Sequence, residues 1–281
     1  MALPEGPVDI AAALAWGRAR IDPMEARLLL RHVLRCPLSR LVARPEQPIE
    51  EQAWTDYRAL VERRAAGEPV AYLVGGREFY GRDFMVSPSV LIPRPDTELL
   101  VELAIAHCGQ GRRVKLLDLG TGSGALAITL ALELAEAEVT AVDRSREALW
   151  VAMANAARLG ASLSFVESDW FAGLGEERFD IIVANPPYIA AGDPHLEQGD
   201  LRFEPRSALA AGPAGRDDLA AIVAAAAAHL EPGGWLFLEH GYDQAPAVRG
   251  LLTDAGFAGI ASWKDLAGIE RVSGGRWLGR G

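Results

Sequence analysis

The chain has 281 residues, half of them apolar and 23% charged, enough to bury a large core and too apolar for wholesale disorder. Lys and Arg total 28 against 38 Asp and Glu, a formal net charge of -10; this excludes a protein that coats nucleic acid through its overall field, while a local basic face stays open. Residues 1–10 lack a basic stretch followed by an apolar one, the apolar run 219–230 falls short of the ~20 residues that span a bilayer, and Cys36 and Cys108 belong to no CxxC or Cys/His cluster, so a cytoplasmic protein with reduced thiols, no metal and no membrane segment is expected.

In chain order, residues 1–77 read as helices. Ile10, Leu14 and Trp16 recur among alanines over 9–20. Pro23 can open a second helix with Leu28, Leu29, Leu30, Val33 and Leu34 on its apolar side, and 50–66 places Trp54, Tyr57, Leu60 and Val61 at helical spacing. This segment carries 11 basic and 10 acidic residues, whereas 78–281 carries 17 and 28, so a boundary is expected near 77. Over 78–95 the helical period breaks. Phe79, Phe84 and Val86, joined at Gly81 and punctuated by Pro88, Pro93 and Pro95, predict a hairpin-like connector.

From 96 onward the pattern alternates. Strands are predicted at 114–117, 139–142, 163–166, 180–184, 234–239, 258–263 and 270–278. Between them lie helices at 97–106, 125–134, 146–159 (capped by Ser145), 215–230 and 243–255. Short apolar runs between helices make this an α/β chain with a mainly parallel sheet covered on both faces.

Three constellations carry chemistry. Asp118 and the run Gly120-Thr121-Gly122-Ser123-Gly124 stand where a strand gives way to a helix; glycines allow a sharp turn and close ligand approach, and the helix start offers unpaired N–H groups. Asp143 ends the next strand, placed to accept hydrogen bonds from two ribose hydroxyls. These two features alone fit NAD as well as other adenosine ligands. Asn185-Pro186-Pro187-Tyr188 follows the strand at 180–184. An amide or exocyclic amino nitrogen is a poor nucleophile because its lone pair is delocalised; the Asn185 side-chain oxygen and the Pro186 carbonyl can accept its two N–H protons and favour the charge that develops on it. Two prolines stiffen that turn, and Tyr188 offers a flat wall.

Together these residues resemble the class I methyltransferases, and within them those that methylate planar nitrogens. Glu78-Phe79-Tyr80-Gly81, 91–98 (Leu-Ile-Pro-Arg-Pro-Asp-Thr-Glu), Ser168-Asp169-Trp170, Glu204-Pro205 with Ala208-Leu209, Glu239-His240-Gly241 and Asp265-Leu266-Ala267-Gly268 extend the likeness to the HemK/PrmC family of release factor N5-glutamine methyltransferases. The resemblance implies a Rossmann-like fold with a seven-stranded sheet over 96–281, and a small N-terminal helical domain that docks substrate. It implies S-adenosylmethionine held by Gly120, Thr121, Gly122, Ser123, Gly124, Asp143, Trp170 and Asn185. The substrate would be the glutamine of the Gly-Gly-Gln loop in class 1 release factors, gripped by Asn185, Pro186, Pro187 and Tyr188, with Asn185, Pro186 and Tyr188 catalytic. Neither stable nucleic-acid nor membrane binding is expected. Asp218 stands where the family usually has Gly, and Glu270 where it usually has Asp; both are expected to lie away from the chemistry.

Some readings stay open at this level. Arg94, Asp96 and Glu98 either shape the site or merely open a helix, where acids suit the dipole. A ribosomal-protein glutamine methyltransferase, an adenine-N6 nucleic-acid methyltransferase and a non-catalytic cofactor scaffold are the alternatives. A flipped base needs a basic groove, which an excess of acids over 78–281 disfavours.

Overall fold

A computed structural model describes residues 8–108 and 113–279. The chain forms two compact units that meet at Gly76 and Arg77, and no helix among the described residues is long and apolar enough to cross a membrane.

The first unit is helical: α1 (Ile10–Arg18), α2 (Pro23–Leu34), α3 (Leu38–Ala43), α4 (Glu51–Ala65) and α5 (Val70–Val74). Asp9 and Asp22 cap α1 and α2 through their carboxylates. Ile10, Leu14, Leu29, Leu30 and Val61 bury their apolar stripes around a Trp16–Trp54–Tyr57 cluster. The predicted helices form here. The short α3 and α5 are additional, one or two turns each, too short for a period to register.

The second unit opens with a two-stranded hairpin, β1 (Gly76–Phe79) and β2 (Arg82–Met85), then α6 (Glu98–His107). The hairpin is no separate connector: Phe79 and Phe84 meet edge to face at 6.1 Å and sit in the core shared with α6. Next come β3 (Lys115–Leu119), α7 (Ala125–Glu133), β4 (Glu138–Asp143), α8 (Arg146–Leu159), β5 (Ser164–Glu167) and β6 (Phe179–Ala184). They are followed by α9 (Asp217–Ala226), β7 (Leu230–Glu239), α10 (Ala245–Asp254), β8 (Ala258–Lys264) and β9 (Glu270–Arg276). Ser145 caps α8, accepting from the Ala148 amide.

The seven-stranded order is β5-β4-β3-β6-β7-β9-β8, parallel except where β9 runs antiparallel to its two neighbours. Side-chain alternation separates two cores. Leu116, Ile181, Val183 and Phe237 face α6 and α7; Leu117, Ile182, Leu236 and Leu238 face α9 and α10. The one sizeable departure from the sequence reading is α9, predicted over 215–230. It stops at Ala226 because His229 accepts from the Phe179 amide and Leu230 already pairs with Phe179, so β7 begins four residues early. Sheet pairing outweighs the helix propensity of the alanine run.

Candidate active site

The order reverses at β3, whose neighbours β4 and β6 were laid down in opposite directions from it, and such switch points open a crevice beyond the strands' carboxyl ends. Register brings the three motifs onto that rim. Leu119 lies opposite both Val142 and Ala184, so Gly120, Asp143 and Asn185 follow on one row, a strand spacing of about 4.8 Å apart.

Gly120, Gly122 and Gly124 have φ values of +74°, +55° and +82°, where any side chain is strained. Each does a different thing. A Cβ on Gly122 would enter open space within the cleft, so the bare backbone there leaves room for a ligand. A Cβ on Gly120 would press on the Trp170 ring at 3.4 Å, and one on Gly124 would strike Ile128 Cδ1 at 2.6 Å and Ala152 Cβ at 3.1 Å. Gly124→Ala is therefore expected to cost about 1–3 kcal/mol of stability from strain and overpacking, read from urea melts; an unchanged midpoint would refute the packing argument. Asn155, wholly buried on α8, secures the loop from behind by donating to the Ser123 and Met85 carbonyls at 2.9 Å and accepting from the Met85 amide at 2.7 Å.

Asp143 accepts from the Gly122 amide at 2.9 Å and the Ser145 amide at 2.8 Å. A carboxylate offers about four lone-pair sites, so acceptor capacity stays available for a hydroxyl. Burial raises its carboxyl, against those amide bonds. Asp118, 1% exposed, accepts from the Thr121 hydroxyl at 2.7 Å through Oδ2, while Oδ1 has no partner among the described residues. Burial pushes it up to about 7, against the Thr121 hydroxyl and the Ala127 amide, and a buried carboxylate suits a cationic neighbour.

Trp170 is held at φ +48°, a strained conformation for a bulky residue. Ser168 maintains it by donating to the Trp170 carbonyl at 3.0 Å and accepting from the Gly173 amide at 2.6 Å. Asp218 lies near Trp170, whose indole favours its ionised carboxylate against the effect of burial. Asp218, expected to lie away from the chemistry, is thus brought by α9 beside the indole that walls the cleft.

The cleft, about 680 Å³ and open to solvent, is lined by Gly120, Gly122, Asp143, Ser145, Trp170, Asn185 and Pro187 among others. A second cavity of about 340 Å³ is lined by Leu91, Arg94, Asn185, Tyr188 and Leu209 among others. Asn185 lines both. Its Nδ2 donates to Thr97 Oγ1 at 3.1 Å, so Oδ1 is the end left to accept. Prolines 186 and 187 are buried. The elbow is clamped beyond them: Gln244 Nε2 donates to the Tyr188 carbonyl at 3.0 Å, Ile189 exchanges backbone bonds with Leu209 and Ala211, and Gly215 sits so close to the Tyr188 carbonyl that a Cβ would lie 2.4 Å from it.

Arg94, Asp96 and Glu98 turn out to tie walls together. Arg94 pairs with the buried Glu204, which also accepts from the Ile92 amide at 3.0 Å. Asp96 meets Arg271 of β9 at 3.3 Å, and Glu98 accepts from the Tyr80 amide at 2.9 Å. Thr97 and Glu239, to which sequence reading assigned no role, join the site as well. Glu239 is 1% exposed at the end of β7 and accepts from the Tyr188 hydroxyl at 3.4 Å. A carboxylate closing the apolar run Trp235-Leu236-Phe237-Leu238 is the signal that could have marked it.

The glycine floor, the Asp143 acceptor, the buried Asp118 carboxylate and the indole wall fit a cationic adenosine cofactor, with a separate acceptor-bearing cavity next door. Comparison with known proteins agrees. Residues 95–199 match the methyltransferase small domain and residues 12–75 the PrmC N-terminal domain. The chain is 51% identical to the release factor glutamine methyltransferase of Burkholderia pseudomallei over 97% of this chain and 98% of that one, and 53% identical to the one of Bordetella pertussis over 90% and 94%. It also resembles the solved Thermus thermophilus 16S rRNA N2 G1207 methyltransferase in complex with AdoMet and guanosine: 27% identity, TM-score 0.54, 72% of this chain and 49% of that one.

Proposed function

The chain belongs to the release factor glutamine methyltransferase family, and from that premise we propose that the cavity beyond Asn185 takes the glutamine side chain of a release factor's Gly-Gly-Gln loop. The reaction is S-adenosylmethionine-dependent methylation of that glutamine on its amide nitrogen. When bound, S-adenosylmethionine supplies an electrophilic methyl group on a sulfonium. Gly120, Thr121, Gly122, Ser123 and Gly124 hold its methionine portion, with Asp118 as buried counter-charge; Asp143 accepts from its ribose hydroxyls; Trp170 flanks its adenine.

Asn185 and Pro186 do the catalytic work. Asn185 Oδ1 and the Pro186 carbonyl accept the two N–H protons of the glutamine carboxamide. Positive charge developing on that nitrogen then meets two fixed dipoles that need no reorganisation. Tyr188 walls the planar amide, so the nucleophilic face is presented in one orientation, while Pro187, expected to grip the substrate, lines the cofactor side of the elbow. Holding both partners at contact distance supplies up to about 7–11 kcal/mol of barrier reduction in favourable cases, and no base has to remove a proton beforehand. A class 1 release factor acts where translation ends, so the enzyme works in the cytoplasm, with the helical unit docking the protein substrate and no stable nucleic-acid partner.

The observation that supports this reading above all is the place of Asn185, which lines both cavities together with Leu91 and Ala208 and alone of the three brings a polar side chain to them. The test is to incubate the enzyme with tritiated S-adenosylmethionine and, in separate reactions, a release factor, a ribosomal-protein mixture and DNA, then map the label by mass. Label on the Gly-Gly-Gln glutamine is the expected result; label confined to ribosomal protein or to bases would overturn it.

A further inference from the structure

The mechanism above leaves a buried carboxylate without a task. Register continues the rim by one more strand: Ala184 lies opposite Leu238, so Glu239 follows Asn185 on the same row. Thr97 stands between them. Its Oγ1 accepts from Asn185 Nδ2 at 3.1 Å, and its side chain lies close enough to the Glu239 carboxyl to favour the ionised form. Glu239 Oε2 has no partner among the described residues, although the residue is 1% exposed and Thr97 only 6%. Burying such a group is unfavourable, and apolar β7 would be served better by a leucine unless the carboxylate contributes to function.

We propose that Thr97 and Glu239 are positioning residues which dictate that the oxygen of the Asn185 carboxamide, rather than its NH2 end, faces the substrate. A threonine hydroxyl has one proton. While the Glu239 carboxylate accepts it, Thr97 Oγ1 can only accept from Asn185. The NH2 end is then drawn to Thr97 and Oδ1 to the cavity. Without that carboxylate, Thr97 can donate to Oδ1 and the amide turns over, setting donors against the substrate's own N–H groups. The inference rests on Asn185 being the substrate's acceptor.

Acid should reverse the chain. Burial pushes the Glu239 carboxyl up to about 7; the nearby Asp96 carboxylate adds to this, while Thr97, the Tyr188 hydroxyl and the Arg271 guanidinium oppose it. Below that value Glu239 itself carries a proton to donate. The same shift bears on stability: ionising a buried acid destabilises the fold progressively as pH rises from its ordinary value of 4.5 to about 7. Glu239→Gln is free of that loss, and at about pH 8 it should melt no lower than the parent while turning over more slowly.

The experiment is release-factor methylation from about pH 6 to about pH 9, at saturating and varied substrate concentrations. It compares the parent with Thr97→Val, Thr97→Ser, Glu239→Gln and Asn185→Ala, with melting curves and isotope-labelled NMR titration of Glu239 alongside. Thr97→Val should lower kcat about tenfold or more with KM for both substrates within about threefold, and Thr97→Ser should recover most of that loss. Glu239→Gln should flatten the acid limb of kcat. If Thr97→Val and Glu239→Gln both stay within about twofold of the parent while Asn185→Ala is inactive, the proposal fails and the acceptor role of Asn185 stands; an active Asn185→Ala overturns both. Should Glu239→Gln not fold, the valine and serine variants of Thr97 decide the matter alone.

Discussion

Asn185→Ala is expected to lower kcat by about two to three orders of magnitude, the loss typical when one preorganised polar partner of a transition state is removed, while cofactor affinity stays within several-fold. The asymmetry follows from what each cavity asks of the residue. Towards the cofactor cleft Asn185 is one wall among many, with Gly120, Asp143 and Trp170 untouched by the change. Towards the second cavity its oxygen is one of only two acceptors proposed for the reacting nitrogen. Alanine removes that oxygen and also strips Thr97 of its donor, so Asn185→Asp is the useful companion: it keeps an acceptor but loses the N–H that Thr97 receives. Single-turnover rates and calorimetric cofactor binding measured on the same preparations separate the two effects. An alanine variant with near-parent turnover would show that the carboxamide is not the acceptor.

Asp143→Ala should show the opposite split. Two hydrogen bonds from ribose hydroxyls to a charged acceptor contribute about 1.5–3 kcal/mol each, so cofactor affinity is expected to fall by about 10²-fold or more, with kcat at saturating cofactor much less affected. The change also leaves the Gly122 and Ser145 amides without their acceptor, which loosens the glycine loop and adds to the loss. Because burial raises the Asp143 carboxyl, acid should weaken cofactor binding at a higher pH than an ordinary aspartate would: affinity is present while the group is ionised and is lost as pH falls through its raised value. Calorimetry across that range reads it directly, and unchanged affinity in the alanine variant would remove Asp143 from the cofactor site.

Much of this arrangement is legible in the residues themselves. Alternating apolar runs and helical periods announce an α/β sheet, the glycine run announces a turn that must tolerate positive φ, and two prolines after an asparagine announce a rigid elbow. Less is legible where local signals are short or compete. Nothing in six residues of α3 separates a helix from a loop, and the alanines of α9 read as helix until β7 claims Leu230. Asp218 looked like a loop detail because its neighbour, Trp170, lies 48 positions away and is found only by folding.

What the sequence determined by itself is the set of local devices: strand, turn and cap, each written within a few consecutive residues whose backbone preferences do not depend on the rest of the chain. Only the tertiary structure decided which of them share a surface. Gly120, Asp143, Asn185 and Glu239 come from four strands and meet because hydrogen-bond register aligns the strand ends; Thr97 reaches them from a helix start far upstream. Register is a property of paired strands, set by the burial of both sheet faces at once, and no single strand carries it.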